Sequence, residues 1–481
     1  MQITPGVVGI FLSLLVLIWM AWRDHSVLLL APVCALLAVV IDGQLPLMAT
    51  LTHVYMPAVG QFVTDYFPLF VLGAVFGRLM EDSGAAACIA TSLSQGLGPR
   101  HTILAVVLSC MVLTYGGVSL FVVVFTVFPL ARSLFQKGNL PRRLIPGTIA
   151  LGSFTLTMTA LPGTIQIQNQ IPMQYFRTSA FAAPGLGCIG GLVMFVVGML
   201  WLHCRARRAV QNGEGFETQE IPGPGVEASG GLTTSPASAT SEPVIPVSTS
   251  LAKSLAPLIT AVVVNFVLSQ YMIPKWKADY AGKPPFEKLE AAKVVGTWST
   301  ILSLCMASGL LIILHWNELK SIRKSLSAGA QAALMPLFNT ASEVGYGGTI
   351  RVLAGFAMVQ KMVTGVAPSN PLVSEAIAVN TLAAVTGSAS GGLSIAMKTL
   401  GDDYYQQAVA TGLNPELLHR VASMSCGGLD SLPHNGAVIT LLLICGSTHR
   451  KSYIDIGMVT VVGPLLGTIT VIALGSAFGC F

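Results

Sequence analysis

Asp430 and His434 stand four residues apart inside the apolar stretch Pro415 to Gly446. Ionisable groups in such a setting are costly and read first as functional. An imidazole exchanges a proton near neutral pH without help, and a neighbouring carboxylate favours its charged form. The pair therefore reads as a proton carrier, His434, oriented by Asp430; the alternative is a satisfied pair that ties the segment together. Glu343 is a further protonatable candidate, with a structural role as its alternative.

Neutral donors and glycines surround these groups. Leu144 to Phe176 carries no charge yet holds Thr155, Thr157, Thr159, Pro162, Gly163, Thr164, Gln168 and Asn169, while Pro415 to Gly446 holds Ser423, Ser425, Gly427, Gly428, Pro433, Asn435 and Gly436. Both read as broken helices. A break exposes unpaired N–H groups at the start of one half and unpaired C=O groups at the end of the other. Such N-terminal ends, expected at Gly163 and Gly436, can hold a carboxylate without any Arg, and the breaks read as free of Arg and Lys. An added Cβ at either glycine is expected to crowd that approach. Thr157, Thr159, Thr164, Gln168, Asn169, Ser388, Ser390, Ser425 and Asn435 are the candidate donors to substrate hydroxyls. Taken singly, a Ser or Thr in a membrane helix more often bonds its own i−4 carbonyl or a neighbouring helix.

The elements that position these residues follow from composition. Of 481 residues, 53% are hydrophobic and 10% charged, against roughly 25% charged in soluble domains. That excludes a soluble globule, a nucleic-acid partner and a charge-driven disordered chain, and makes an all-α polytopic membrane protein. The nine cysteines are scattered, with no C-x-x-C and no Cys/His cluster, so neither a metal site, a cofactor nor a disulfide framework is expected. Apolar runs place spans near 4–22, 27–42, 63–80, 185–203, 252–273, 294–315, 327–350 and 452–479, besides the broken helices at about 144–180 and 415–447. The first lacks a basic leader and cleavage site and reads as a retained span.

Thr102 to Ala131 is uncharged, basic at both ends and interrupted by Thr114, Tyr115, Gly116 and Gly117, with Ser119 just beyond. Two basic ends imply one side of the membrane, hence a re-entrant hairpin at about 101–135, admissible only if its tip is buried in protein or lines a cavity. A second hairpin at about 371–411 turns at Thr386 to Gly392 between acidic or neutral flanks, from the opposite side. At the first tip the glycines serve a tight turn or contact ligand, as does Tyr115.

The basic clusters at Arg23, Arg78/Arg100, Arg132 to Arg143, Arg205 to Arg208, Lys320 to Lys324 and Arg450/Lys451 fall on the cytoplasmic side, with both termini periplasmic. The loop Pro274 to Lys293, with five Lys, opposes this assignment. Residues 205–250, rich in Gly, Pro, Ser and Thr, form a disordered cytoplasmic linker between 1–204 and 251–481. An offset of about 271 residues superposes the hairpin tips, the breaks and two spans of the halves, a repeat signal. Each half holds five spans plus a hairpin, so the second copy is inverted. Inverted repeats with paired breaks at the midplane point to a secondary transporter.

Phe76-Gly-Arg-Leu-Met-Glu-Asp-Ser-Gly84 with Cys88-Ile-Ala-Thr91, the basic-flanked hairpin around Tyr115-Gly-Gly, and Asn414-Pro-Glu-Leu417 ahead of a Gly/Ser-rich break resemble the gluconate permease family. That family belongs to the ion transporter superfamily, which also holds sodium-coupled dicarboxylate and citrate symporters. The resemblance implies a bacterial inner-membrane homodimer, with a scaffold domain and a transport domain of hairpins and broken helices moving as an elevator. It also implies proton-coupled uptake of small hydroxycarboxylates. Two departures stand where substrate would be read. The family's first break carries Pro-Pro-His-Pro-Gly-Pro, whereas here it reads Leu161-Pro-Gly-Thr-Ile-Gln-Ile-Gln-Asn169. The Ser-Asn-Thr signature of the sodium-dicarboxylate branch is missing from both tips. Sodium coupling to a di- or tricarboxylate is the alternative within transport; a passive channel, or an intramembrane protease built on Ser388 or Ser390 with His434, are the alternatives outside it. An enzyme is not expected, since repeat symmetry serves transport rather than acyl chemistry. The sequence does not separate sugar acids from lactate, 3-hydroxybutyrate or citrate.

Overall fold

The computed structural model describes residues 5–21, 26–98, 101–118, 120–216, 250–275, 284, 290–358, 370–433 and 435–481. Most of the expected linker, much of loop 274–293, and the positions Ser119 and His434 lie outside the described residues. Among the described residues all regular structure is helical.

In chain order the helices are α1 (Pro5–Ala21), α2 (Val27–Asp42), α3 (Leu47–Asp82), α4 (Ala85–Leu97), α5 (Thr102–Tyr115), α6 (Leu120–Lys137), α7 (Ile145–Ser153), α8 (Leu156–Thr159), α9 (Ile167–Phe176) and α10 (Pro184–Gln211). After the linker come α11 (Leu251–Met272), α12 (Ala291–Leu314), α13 (Ile322–Arg351), α14 (Pro371–Thr386), α15 (Ala389–Ala396), α16 (Asp402–Thr411), α17 (Pro415–Ser425), α18 (Gly436–Cys445) and α19 (His449–Phe478). Five of these, α3, α10, α11, α12 and α19, are long and apolar enough to cross a membrane. The protein is a polytopic all-α membrane protein.

Two features depart from the expected spans. Helix α3 starts at Leu47 rather than near 63. Thr52, His53, Gln61, Thr64 and Asp65 mask its apolar pattern, yet the turn is kept by local bonds such as Gln61 Nε2 to Asp65 Oδ1 at 2.8 Å. Helix α4 was not expected; its small residues bury Ala85, Ala86, Cys88, Ile89 and Ala90 against α5 and α11.

The hairpin segments fold as helix–turn–helix. Helix α5 has 14 residues, a length of about 21 Å against a ~30 Å hydrocarbon core. The turns are made at Gly117 (φ 93°) and Gly387 (φ 63°), backbone that a Cβ would strain. Side chains close the helix starts: Asn370 accepts from Leu372 N–H, Ser388 from Gly391 N–H, and Asn414 from Glu416 N–H. The long helices α3 and α13 pack along each other, α3 also against α12 and α13 against α2. Around them α9 packs on α15 and α17, while α18 packs on α6.

An ion cluster ties the two halves. Asp455, its side chain fully buried, accepts from Arg205 Nε (2.9 Å), Trp201 Nε1 (3.0 Å) and Arg143 Nη1 (3.3 Å). Arg143 also pairs with Glu214, at the root of the linker, at 2.8 Å. Removing one member would leave a buried charge unpaired, which is why such clusters hold firmly.

Candidate substrate site

Both expected breaks are present. The first interrupts the chain after Ser153, forms the single turn α8, and passes through turns and bends from Ala160 to Gln166 before α9 begins. The second lies between Ser425 and Gly436. They meet at Thr159: its carbonyl accepts from Ser423 Oγ at 2.6 Å and from Arg420 Nη1 at 3.4 Å, and its methyl group lies against Gly427.

Each break is also fastened to a hairpin tip by a side-chain amide. Gln166 Nε2 donates to Thr114 O at 2.7 Å, and Tyr115 Oη donates to Pro162 O at 2.7 Å. Asn435 Nδ2 donates to Gly387 O at 2.8 Å and to Asp430 O at 2.9 Å, while its Oδ1 caps α18 by accepting from Ala437 and Val438 N–H. Tip glycines make these approaches close. Gly116 packs on Leu258 and Gly117 on Ile165, with no room for a Cβ.

The candidate donors divide by what already binds them. Thr157 Oγ1 donates to Gly152 O, Thr159 Oγ1 to Thr155 O and Thr164 Oγ1 to Thr157 O. Ser388 is used as the cap of α15, and Ser390 Oγ lies 3.5 Å from Thr340 Oγ1. Ser425 Oγ, Gln168 Oε1 and Thr114 Oγ1 are buried with no partner. These three are the atoms that bound water or substrate would satisfy, since a buried orphan costs about 1–3 kcal/mol. Asn169, fully buried, donates to Thr164 O and Ala180 O, both at 2.9 Å.

The two glycines expected at helix starts differ. Gly163 is not at a helix start but three residues before Gln166, the N-cap position of α9, at φ 80°, with the Phe181 ring where a Cβ would go. Gly436 does begin α18, but nothing lies within 4 Å of a Cβ added there, so the expected crowding is absent.

Of the protonatable candidates, Asp430 is buried in the second break and accepts from Ser431 Oγ at 3.0 Å. Glu343, on α13, is buried with its carboxyl directly against Gly391 of the second tip and Oε2 unpartnered. His434 and Ser119 fall outside the described residues.

The sequence reading missed a cation. Arg420, on α17, is fully buried and directs Nε (3.1 Å) and Nη2 (2.6 Å) to Ala182 O and Nη1 to Asn169 Oδ1 at 3.2 Å. Its neighbour His419 bonds Asn169 Oδ1 through Nε2 at 3.1 Å and Thr178 through Nδ1. The expectation that the breaks lack Arg and Lys is therefore corrected: the second half-helix brings a guanidinium to the first break. The signal was present, an Arg inside the run Pro415 to Gly446, but its place soon after Asn414-Pro415 made it look like a flanking charge.

Beside the second break a groove of about 580 Å³ separates one face of α14 from one face of α19, with Leu429 at its inner end. Asn380 Oδ1 and Thr468 Oγ1 on its walls are buried and unpartnered.

Residues 1–222 match the family model described as GntP family permease. The chain is 42% identical over 464 residues, 94% of its length and 95% of the relative's, to the uncharacterized transporter YxjC of Bacillus subtilis. An uncharacterized transporter of Haemophilus influenzae is 23% identical over 221 residues, 45% of this chain and 49% of that protein. With a relative of this identity along nearly the whole chain, and paired breaks fastened to paired hairpins, the protein belongs to the GntP family of permeases and is a multi-pass membrane transporter rather than an enzyme.

Proposed function

We propose that the protein is a proton-coupled importer of a small hydroxycarboxylate, working by an elevator motion between two inverted repeats. The observation that carries this reading is the crossing of two broken helices at Thr159, each break bonded to its own hairpin tip. The offset of about 271 residues supports the repeat: it relates α5 to α14, α7 to α17, α9 to α18 and α2 to α12 by their residue ranges. On this reading α3 and α13 belong to the scaffold, which forms a homodimer in the inner membrane with both chain termini periplasmic, and the hairpins and breaks move past it.

Substrate hydroxyls bind at Ser425, Gln168 and Thr114, and at Asn169, Thr157, Thr159, Thr164, Ser388, Ser390, Asn435, Tyr115 and Ser119 where the tips open. The glycines Gly116, Gly117, Gly163 and Gly436 keep backbone near the ligand. His434 carries the proton, Asp430 orients it, and Glu343 senses whether the second tip is docked. An anion bound beside the carrier favours protonation, and the proton favours the anion in return, as linkage requires. The domain then crosses with both or with neither.

The test is uptake into proteoliposomes. Wild type accumulates substrate against its gradient when a pH gradient is imposed, which a passive channel cannot do. His434→Gln retains exchange between two loaded sides and loses accumulation. Accumulation that persists in the variant removes His434 from the mechanism, and a wild type driven only by a sodium gradient removes proton coupling.

A further inference from the structure

We infer that Arg420 is the residue that makes the site select anions, a specificity role that rests on the carboxylate reading above. Its guanidinium is fully buried, and every hydrogen bond it makes runs to a neutral acceptor: Ala182 O, Thr159 O and Asn169 Oδ1. Among the described residues no carboxylate lies within ion-pair distance of it. Glu416, one turn back on α17, turns its Oε2 to Ala183 N–H at 3.0 Å instead. His419 beside it and Asn169 beneath it add dipoles but no negative charge.

Glu416 acts on the guanidinium only through space, without bonding it; a buried ion with no direct ion pair is expensive, and a ligand that supplies one is favoured. Three buried polar atoms are left to meet such a ligand. Among the described residues Ser425 Oγ, Gln168 Oε1 and Thr114 Oγ1 are buried and unpartnered; they belong to the two breaks and the first tip, and the guanidinium bonds the first break at Thr159 and Asn169. These atoms read hydroxyls, and Arg420 supplies the charge. No contact is required. A positive charge about 8 Å from a carboxylate, at an effective dielectric of about 20, is worth about 30-fold in binding. Architecture alone does not call for the charge, because the corresponding position of the first half, by the repeat offset, is Ile149.

The test compares each acid with its uncharged amide, gluconate with gluconamide and lactate with lactamide, by calorimetric binding to purified wild type, Arg420→Lys and Arg420→Gln. Wild type prefers acid over amide in at least one pair. Arg420→Lys, which keeps the charge and loses the fork, retains that preference within about threefold while both ligands weaken together. Arg420→Gln loses the preference by about 30-fold, with the amide weakened within about threefold of its weakening in Arg420→Lys. A Gln variant that still prefers the acid as wild type does overturns the inference and leaves Arg420 a brace. If the Gln variant does not fold, the Lys variant decides, since loss of its acid preference overturns the charge role. A wild type that binds acid and amide alike in both pairs removes the carboxylate reading itself, a result distinct from failure at Arg420.

Discussion

The first break and the second share an outline and differ in chemistry. Residues 145–176 contribute threonines, glutamines and an asparagine, mostly bonded to nearby backbone, and no charged side chain. The second contributes Glu416, His419, Arg420, Asp430 and His434 between Pro415 and Gly436. One break is a neutral frame held in shape by its own hydroxyls; the other carries the charges and leans them onto that frame at Thr159 and Asn169. The two breaks share a shape, and only one of them brings charges.

The largest effect that tests this division is expected at Asp430. Asp430→Asn should cut pH-driven accumulation by ~100-fold, near the upper end of a coupling factor, while exchange between loaded sides stays within a few-fold. Accumulation measured with an imposed pH gradient decides it, and an unaffected variant would remove Asp430 from the coupling.

A smaller effect separates the two break glycines. Gly163→Ala must place a Cβ in the Phe181 ring at positive φ and should cost about 2–3 kcal/mol of stability. Gly436→Ala meets open space and should stay within about 0.5 kcal/mol. Chemical unfolding in detergent reads both, and equal costs would mean that the breaks are equally tight.

The fastenings of the tips come next. Gln166→Ala removes the bond to Thr114 O and should cost about 1 kcal/mol, with a few-fold rise in KM. Asn435→Ala removes a tip bond and the cap of α18 together and should cost about twice that. Uptake kinetics and unfolding of the two variants rank them; the reverse order would make the first tip the more firmly held.

The smallest effect is expected from the linker. Deleting 217–245 should leave uptake within a few-fold, because Glu214 and Phe216, which bond Arg143 and Asn139, are kept.

How much was legible beforehand follows the same division. Helices and breaks declare themselves in one dimension: apolar runs, Leu161-Pro-Gly-Thr164 and Ser431-Leu-Pro are local signals. Arg420 was hidden because its burial comes from Ala182, Thr159 and Asn169, partners far off in the chain. The threonine hydroxyls were ambiguous because the same residue type serves backbone or ligand depending on rotamer, and Thr157 and Thr159 bond backbone. Helix α4 escaped because small residues with a mild pattern look like loop until they are packed.

The Asp455 cluster has a practical consequence. Helix α10 runs on to Gln211, so Arg205 is helical rather than part of the linker expected from 205; with Arg143 and Trp201 it comes from the chain before the linker, and Asp455 comes from after it, so the bond between halves does not pass through the peptide that joins them. The covalent tether then mainly keeps the second half at high effective concentration near the first. Two fragments divided within 217–249 and co-expressed in one membrane meet the same buried carboxylate, and reassemble into a working permease without being one molecule.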